Sequence, residues 1–153
     1  MYSFRKSKKG FTLIELMVVV AIIAVLALLG LRMYSTQQDK SKEAIVKANA
    51  GTVQVQIQTA LVDKSVSTIN TALSTASSGL TDPDLTDLNA LQNPFSGKTG
   101  SANTIVYGAT KGSITAGSAV EGFVGVEFSD PVFIIKAFGK DGRDMSYELT
   151  AQK

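Results

Sequence analysis

The 153 residues leave room for one domain of ordinary size beside a hydrophobic amino-terminal arm, and no second domain. The net charge of +2 hides an uneven split. Arg5, Lys6, Lys8 and Lys9 are four of the fifteen basic residues, so from Phe11 onward eleven bases face thirteen acids, and no direct nucleic-acid site is evident. Cysteine and histidine are both absent, which excludes disulfides, Cys/His zinc sites, iron–sulfur ligation and any Ser-His or Cys-His catalytic pair; no cofactor is expected.

The apolar run begins behind this basic leader. Leu16 to Leu31 carries no charged or polar side chain, and with Phe11 to Glu15 the stretch reaches twenty-one residues. As a helix that is about 30 Å, the thickness of a bilayer's hydrocarbon core. Bases precede the run and mixed signs follow Arg32, so the positive-inside rule places residues 1–10 in the cytoplasm and the rest across the membrane. A cleavable secretory signal would end in a small-x-small site. This run passes directly into Arg32-Met33-Tyr34, while the helix-breaking Gly10 stands in front of it. Any cut therefore falls before Phe11. Glu15, one carboxylate in a spanning segment, costs on the order of 2–3 kcal/mol at depth and calls for a partner. The positive end of the helix dipole supplies part of the compensation.

Lys8-Lys9-Gly10-Phe11-Thr12-Leu13-Ile14-Glu15 resembles the peptidase-processed motif of type IV prepilins and pseudopilins. The resemblance implies leader recognition through Lys8, Lys9 and Gly10, cleavage between Gly10 and Phe11 by a prepilin peptidase, and N-methylation of Phe11. It further implies that Glu15 neutralises the amino terminus at Phe11 of a neighbouring subunit and so sets the register of assembly. Many pilins carry a helix-loosening Gly and, about eight residues on, a Pro; Ala24 and Arg32 occupy those positions here, which leaves local melting of residues 24–32 open.

Beyond the arm, Val46, Ala50, Val53, Ile57 and Ala60 recur at helical spacing. The alternating Val53-Gln54-Val55-Gln56-Ile57-Gln58 offers a strand as the local alternative. The longer register, together with the resemblance, favours one helical rod from Phe11 to about Val62, roughly 78 Å long. Val66, Ile69, Leu73, Ala76 and Leu80 predict a second helix within the Ser/Thr-rich stretch 65–80, whose hydroxyls could carry O-linked sugar. Asp82 followed by Pro83 predicts a capped helix with Leu85, Leu88 and Leu91 as its stripe, rather than a calcium loop. Asn93-Pro94-Phe95 predicts a turn and resembles the loop before the sheet in many pilins.

Strands are expected over 104–107, 120–128, 132–138 and 145–149, the last two joined through Asp141-Gly142. They are expected to form an antiparallel sheet. Glycines at 122 and 125 suggest a bulge or a close helix–sheet approach, and Phe123, Phe128, Phe133, Phe138 and Tyr147 suggest core.

The expected fold is α+β: a long amino-terminal helix, hydrophobic and then amphipathic, packed on a carboxy-terminal antiparallel sheet, as in pilins. Its segments are a cleaved leader (1–10), an assembly helix (11–31), its amphipathic continuation (32–62), a Ser/Thr-rich helical and loop region (63–103) and the sheet (104–153). The implied function is structural: a non-enzymatic, major-pilin-like subunit of a type IV pilus. It is stored in the inner membrane and then polymerised with copies of itself into an extracellular filament by an assembly platform and ATPases. The alternative is a pseudopilin of a secretion or competence system, for which Asp141, Asp144 and Glu148 are calcium candidates. A remoter alternative is a membrane-anchored Ser/Lys enzyme, but no Ser and Lys stand at a recognisable spacing.

Overall fold

The computed structural model describes residues 10–117 and 120–153; the leader with Lys8 and Lys9 lies outside them. Two compact units are present, one ending at Gln38 and one spanning Asp39–Lys153. Helix α1 runs over Leu13–Asp63 without interruption, so residues 24–32 are regular helix here.

In the second unit, α1 buries Val46, Ala50, Val53, Ile57, Ala60 and Leu61 against the sheet and loops. Burying each of the larger side chains removes apolar surface from water at a gain of about 1.5–3 kcal/mol. The Val-Gln alternation resolves as helix, and the glutamines line both flanks of the buried stripe. Gln54 and Gln58, one turn apart, donate to the carbonyls of Thr150 (2.8 Å) and Gln152 (3.2 Å). On the opposite flank Gln56 reaches the Asp84 carbonyl (2.8 Å) and Asn49 the Gln92 carbonyl (3.0 Å).

Helix α2 covers Val66–Ser74, with Ser65 as its N-cap accepting the Thr68 N–H. The second helix expected over 65–80 is shorter than its apolar register. It gives way to a 3₁₀ turn at Ala76–Ser78, whose carbonyl at Ala76 accepts both the Gly79 N–H and the Ser101 hydroxyl. The register still buries Ile69, Leu73, Ala76 and Leu80. The capped helix expected at Asp82 is replaced by a 3₁₀ turn, Thr86–Ala90. Asp82 accepts the Asp84 N–H instead and pairs with the Lys64 ammonium, which Asp84 also holds at 2.7 Å. Leu85 and Leu88 are buried all the same.

The turn at Asn93-Pro94-Phe95 is built on one buried side chain. The Asn93 amide oxygen accepts the N–H groups of Phe95 and Ser96, and its NH₂ donates to the carbonyls of Asn103 and Glu121. Gly122 (φ 73°) abuts this amide, and a Cβ there would lie 2.3 Å from the Asn93 oxygen. The close approach signalled by the glycine is thus to a loop side chain. Its left-handed backbone also ends the extended geometry expected from residue 120, so the strand starts later.

A short helix α3, Ser101–Thr104, leads into four strands: β1 Ile105–Gly108, β2 Val124–Ser129, β3 Val132–Phe138 and β4 Asp144–Ala151, in the order β1-β2-β3-β4. β2, β3 and β4 are antiparallel, as expected; β1 pairs parallel with β2, which corrects the all-antiparallel sheet. The residues between β1 and β2 carry the chain back along the sheet, as parallel pairing requires. Val124, Val126, Phe133, Ile135 and Ala151 are buried in the core, while Glu127 and Lys136 occupy the opposite face. The β3–β4 connection contains Asp141 (φ 57°) and Gly142 (φ 67°), consecutive left-handed residues that fit the Asp-Gly signal. Two ion pairs hold this turn to α1: Lys140 with Asp39 (2.7 Å) and Arg143 with Glu43 (2.9 Å).

Candidate functional site

Gly10 precedes the helix in non-helical backbone, exposed, with nothing within 4 Å of where a Cβ would stand. Phe11 is 88% exposed. Thr12 is the residue before α1, and its relation to Glu15 is reciprocal. The Glu15 N–H donates to the Thr12 hydroxyl oxygen (3.3 Å), while the Thr12 N–H (3.1 Å) and hydroxyl (3.0 Å) donate to the Glu15 carboxylate. This is a capping box, which satisfies backbone donors that the first helical turn leaves unpaired. The Thr-x-x-Glu spacing was readable in the sequence and gives Glu15 a role within its own chain. The same carboxylate lies at the positive end of the helix dipole.

Behind this box the first unit presents apolar side chains on every side. Leu13, Ile14, Leu16 to Val20, Ile22, Ile23, Val25, Leu26, Leu28, Leu29 and Leu31 are all exposed, a surface far larger than a soluble monomer leaves to water. The helix is long and apolar enough to cross a membrane. Arg32 and Tyr34 follow the run directly, as interfacial anchors do.

Several charged groups of the second unit are structurally engaged. Glu127, fully buried, accepts the N–H groups of Gly112 (2.9 Å) and Ile114 (3.0 Å) and pairs with Lys136 at 3.0 Å. Burial alone would raise its pKa, but those two N–H groups and the Lys136 ammonium outweigh it and hold the carboxyl below its ordinary value. Lys64, Lys136 and Lys140 are each raised, chiefly by hydrogen bonds to Asp82, Glu127 and Asp39 respectively. Each is therefore held as a charged ammonium, the wrong state for the base of a Ser/Lys dyad. Asp141, Asp144 and Glu148 are exposed on and beside β4, and the Asp144 carboxylate accepts the Ser146 N–H (2.8 Å). Among the described residues no three acidic side chains converge on a metal position.

Among known protein families, a match is found over the segment that holds this site. Residues 5–31 match a family model described as the prokaryotic N-terminal methylation motif. The chain is 43% identical over 56 residues to a type IV major fimbrial protein FimA of Dichelobacter nodosus, an alignment covering 37% of this chain and 36% of that protein. A further FimA of the same organism is 41% identical over 56 residues, with the same coverage. The chain thus aligns with little more than a third of the length of these relatives. No solved structure matches it. What the comparisons support is thus a type IV prepilin-like segment, and they leave most of the second unit unmatched.

Proposed function

We propose, from an amino-terminal segment of type IV prepilin character, that this protein is a structural, major-pilin-like subunit of a type IV pilus. Its amino terminus starts in the cytoplasm and its second unit lies across the inner membrane. A prepilin peptidase removes residues 1–10 after Gly10, and Phe11 becomes the methylated amino terminus. The subunit then leaves the bilayer for an extracellular filament of identical copies, moved by the platform and ATPases of the assembly machine. The observation that carries this reading is the arm itself: a helix apolar on all sides needs either lipid or other helices around it, and assembly exchanges one for the other.

Within that exchange Glu15 has two partners in turn. In the single subunit its carboxylate closes the capping box with Thr12. In the filament it pairs with the Phe11 ammonium of a neighbour, a charge pair whose separation in a low-dielectric core would be far more costly than its formation. Electron microscopy of material sheared from the cell surface, with mass spectrometry of its subunit, tests the reading. Filaments whose subunit begins at methylated Phe11 are expected; a dispersed full-length protein overturns it.

A further inference from the structure

The apolar run of α1 ends on one cation. Leu16 to Leu31 carries no charged or polar side chain, Arg32 follows at once, and no further charge occurs before Asp39. Leu28, Leu31, Arg32 and Ser35 share one helix face at i, i+3, i+4 and i+7, and together they border an open cleft of about 430 Å³. All four are exposed. The Arg32 carbonyl accepts the hydroxyls of Ser35 (3.1 Å) and Thr36 (3.2 Å), so the Ser35 hydrogen is already used and the guanidinium is the donor group that this face presents. Among the described residues Arg32 takes part in no ion pair. The acids nearest to it in sequence are engaged elsewhere: Glu15 in the capping box, Asp39 with Lys140 and Glu43 with Arg143. The anion that this guanidinium needs therefore comes from outside the chain.

We infer that Arg32 binds the phosphate of a phospholipid, with a preference for anionic headgroups, in the leaflet on the side of the second unit. The inference rests on the reading above that α1 spans the membrane before assembly. The two ends of the face define the occupant. Leu28 and Leu31 belong to the surface that lipid chains cover, while Arg32 is the first residue past it and meets the bilayer at the depth of the phosphate esters. Arginine cannot shed its charge there, and its planar fork matches two phosphate oxygens at once. The headgroup preference follows from competition. The cationic group of a zwitterionic lipid contends with Arg32 for the phosphate, whereas an anionic headgroup brings no such rival and adds attraction worth about fivefold in affinity for one basic residue. Arg32 lies beyond the residues that match the methylation motif, so the site belongs to this chain and not to the processing signal.

The test uses the full chain, purified from membranes in detergent, and native mass spectrometry with phosphatidylglycerol or phosphatidylcholine of matched acyl chains added in turn. Wild type should keep one phosphatidylglycerol at collision energies that strip phosphatidylcholine, and Arg32→Gln should retain it about fivefold less. Arg32→Lys should fall between them, because it keeps the charge and loses the fork. Lys111→Gln, at an exposed base on the β1–β2 loop, should match wild type. Inorganic phosphate should leave the bound lipid in place; its displacing the lipid would assign the site to a free anion and overturn the lipid reading. Equal retention of phosphatidylglycerol by wild type and Arg32→Gln overturns the inference, as does equal retention of the two lipids by wild type. Membrane fractionation separates this result from the reading it rests on. Wild-type chain recovered from the soluble fraction overturns the membrane-spanning reading, whereas membrane-bound chain without Arg32-dependent lipid overturns this inference alone.

Discussion

The carboxylate of Glu127 lies 3.0 Å from the ammonium of Lys136 and accepts the backbone N–H groups of Gly112 and Ile114, so one buried side chain ties β3 to the loop between β1 and β2. Replacing it by Glu127→Gln removes the charge that all three donors share. The expected loss is about 2–3 kcal/mol, below the full value for a buried pair because Lys136 retains some exposure. Urea denaturation of the detergent-solubilised chain measures it.

The same carboxylate contributes to acid sensitivity. Its pKa is lower folded than unfolded, so its stabilisation is complete above the ordinary carboxylate range and is lost as pH falls through the folded value. Wild type should lose more stability than Glu127→Gln between pH 7 and pH 3. Equal losses in the two proteins would show that folding does not lower the pKa of this carboxyl.

Substitutions at the start of α1 separate the capping role of Glu15 from the pairing role proposed for it. Thr12→Ala removes one half of the capping box and should loosen the first helical turn by about 1 kcal/mol, read as faster amide exchange there. Glu15→Gln keeps an acceptor for the Thr12 N–H but no charge. If pairing with a neighbour's ammonium governs assembly, Gln should impair filament yield about as severely as Glu15→Ala; normal filament from Glu15→Gln would leave capping as the operative role.

The glutamine flank predicts a graded effect. Gln54→Ala removes a donor from the Thr150 carbonyl of β4 and Gln58→Ala one from the Gln152 carbonyl just past it, and each should cost about 1 kcal/mol, nearly additively, in the same denaturation assay.

Two glycines of α1 and the β3–β4 turn should respond with opposite signs. At Gly142, φ is 67° and a Cβ would lie 1.6 Å from the Gly117 carbonyl oxygen, so Gly142→Ala should destabilise by about 1–3 kcal/mol. Gly51→Ala meets open space in a helix and should stabilise the folded unit by about 0.5–1 kcal/mol. Thermal unfolding of the two variants gives both signs.

What the sequence revealed depended on the range of the interaction. The stripe Val46, Ala50, Val53, Ile57 and Ala60 is local periodicity over many turns and was legible; so were the Asp141-Gly142 turn and the motif around Gly10. The Thr12–Glu15 box is equally local, yet the apolar context drew attention to the charge of Glu15 and away from its hydrogen bonds. Glu127 gave no signal, since one acid in Val124-Gly125-Val126-Glu127-Phe128 reads as the wet side of a strand until the loop that covers it is placed. The parallel pairing of β1 was hidden for the same reason: a loop's length does not state which way the next strand returns. Asp82 has the composition of a helix cap, and only the position of Lys64 shows why it turned elsewhere.

The glutamine contacts also bear on how copies of such a chain can join. Gln54 engages the Thr150 carbonyl of β4 and Gln58 the Gln152 carbonyl just past it, while β1 packs beside the Ala76–Ser78 turn with its Tyr107 hydroxyl bonded to Asn70, so each border of the sheet carries contacts that an incoming strand would have to displace. Growth by strand donation, which locks a polymer through a shared sheet, is thereby disfavoured. Contacts between whole helices remain, and they can be made and unmade without unfolding the subunit, so a filament built this way is a reversible store of intact protein.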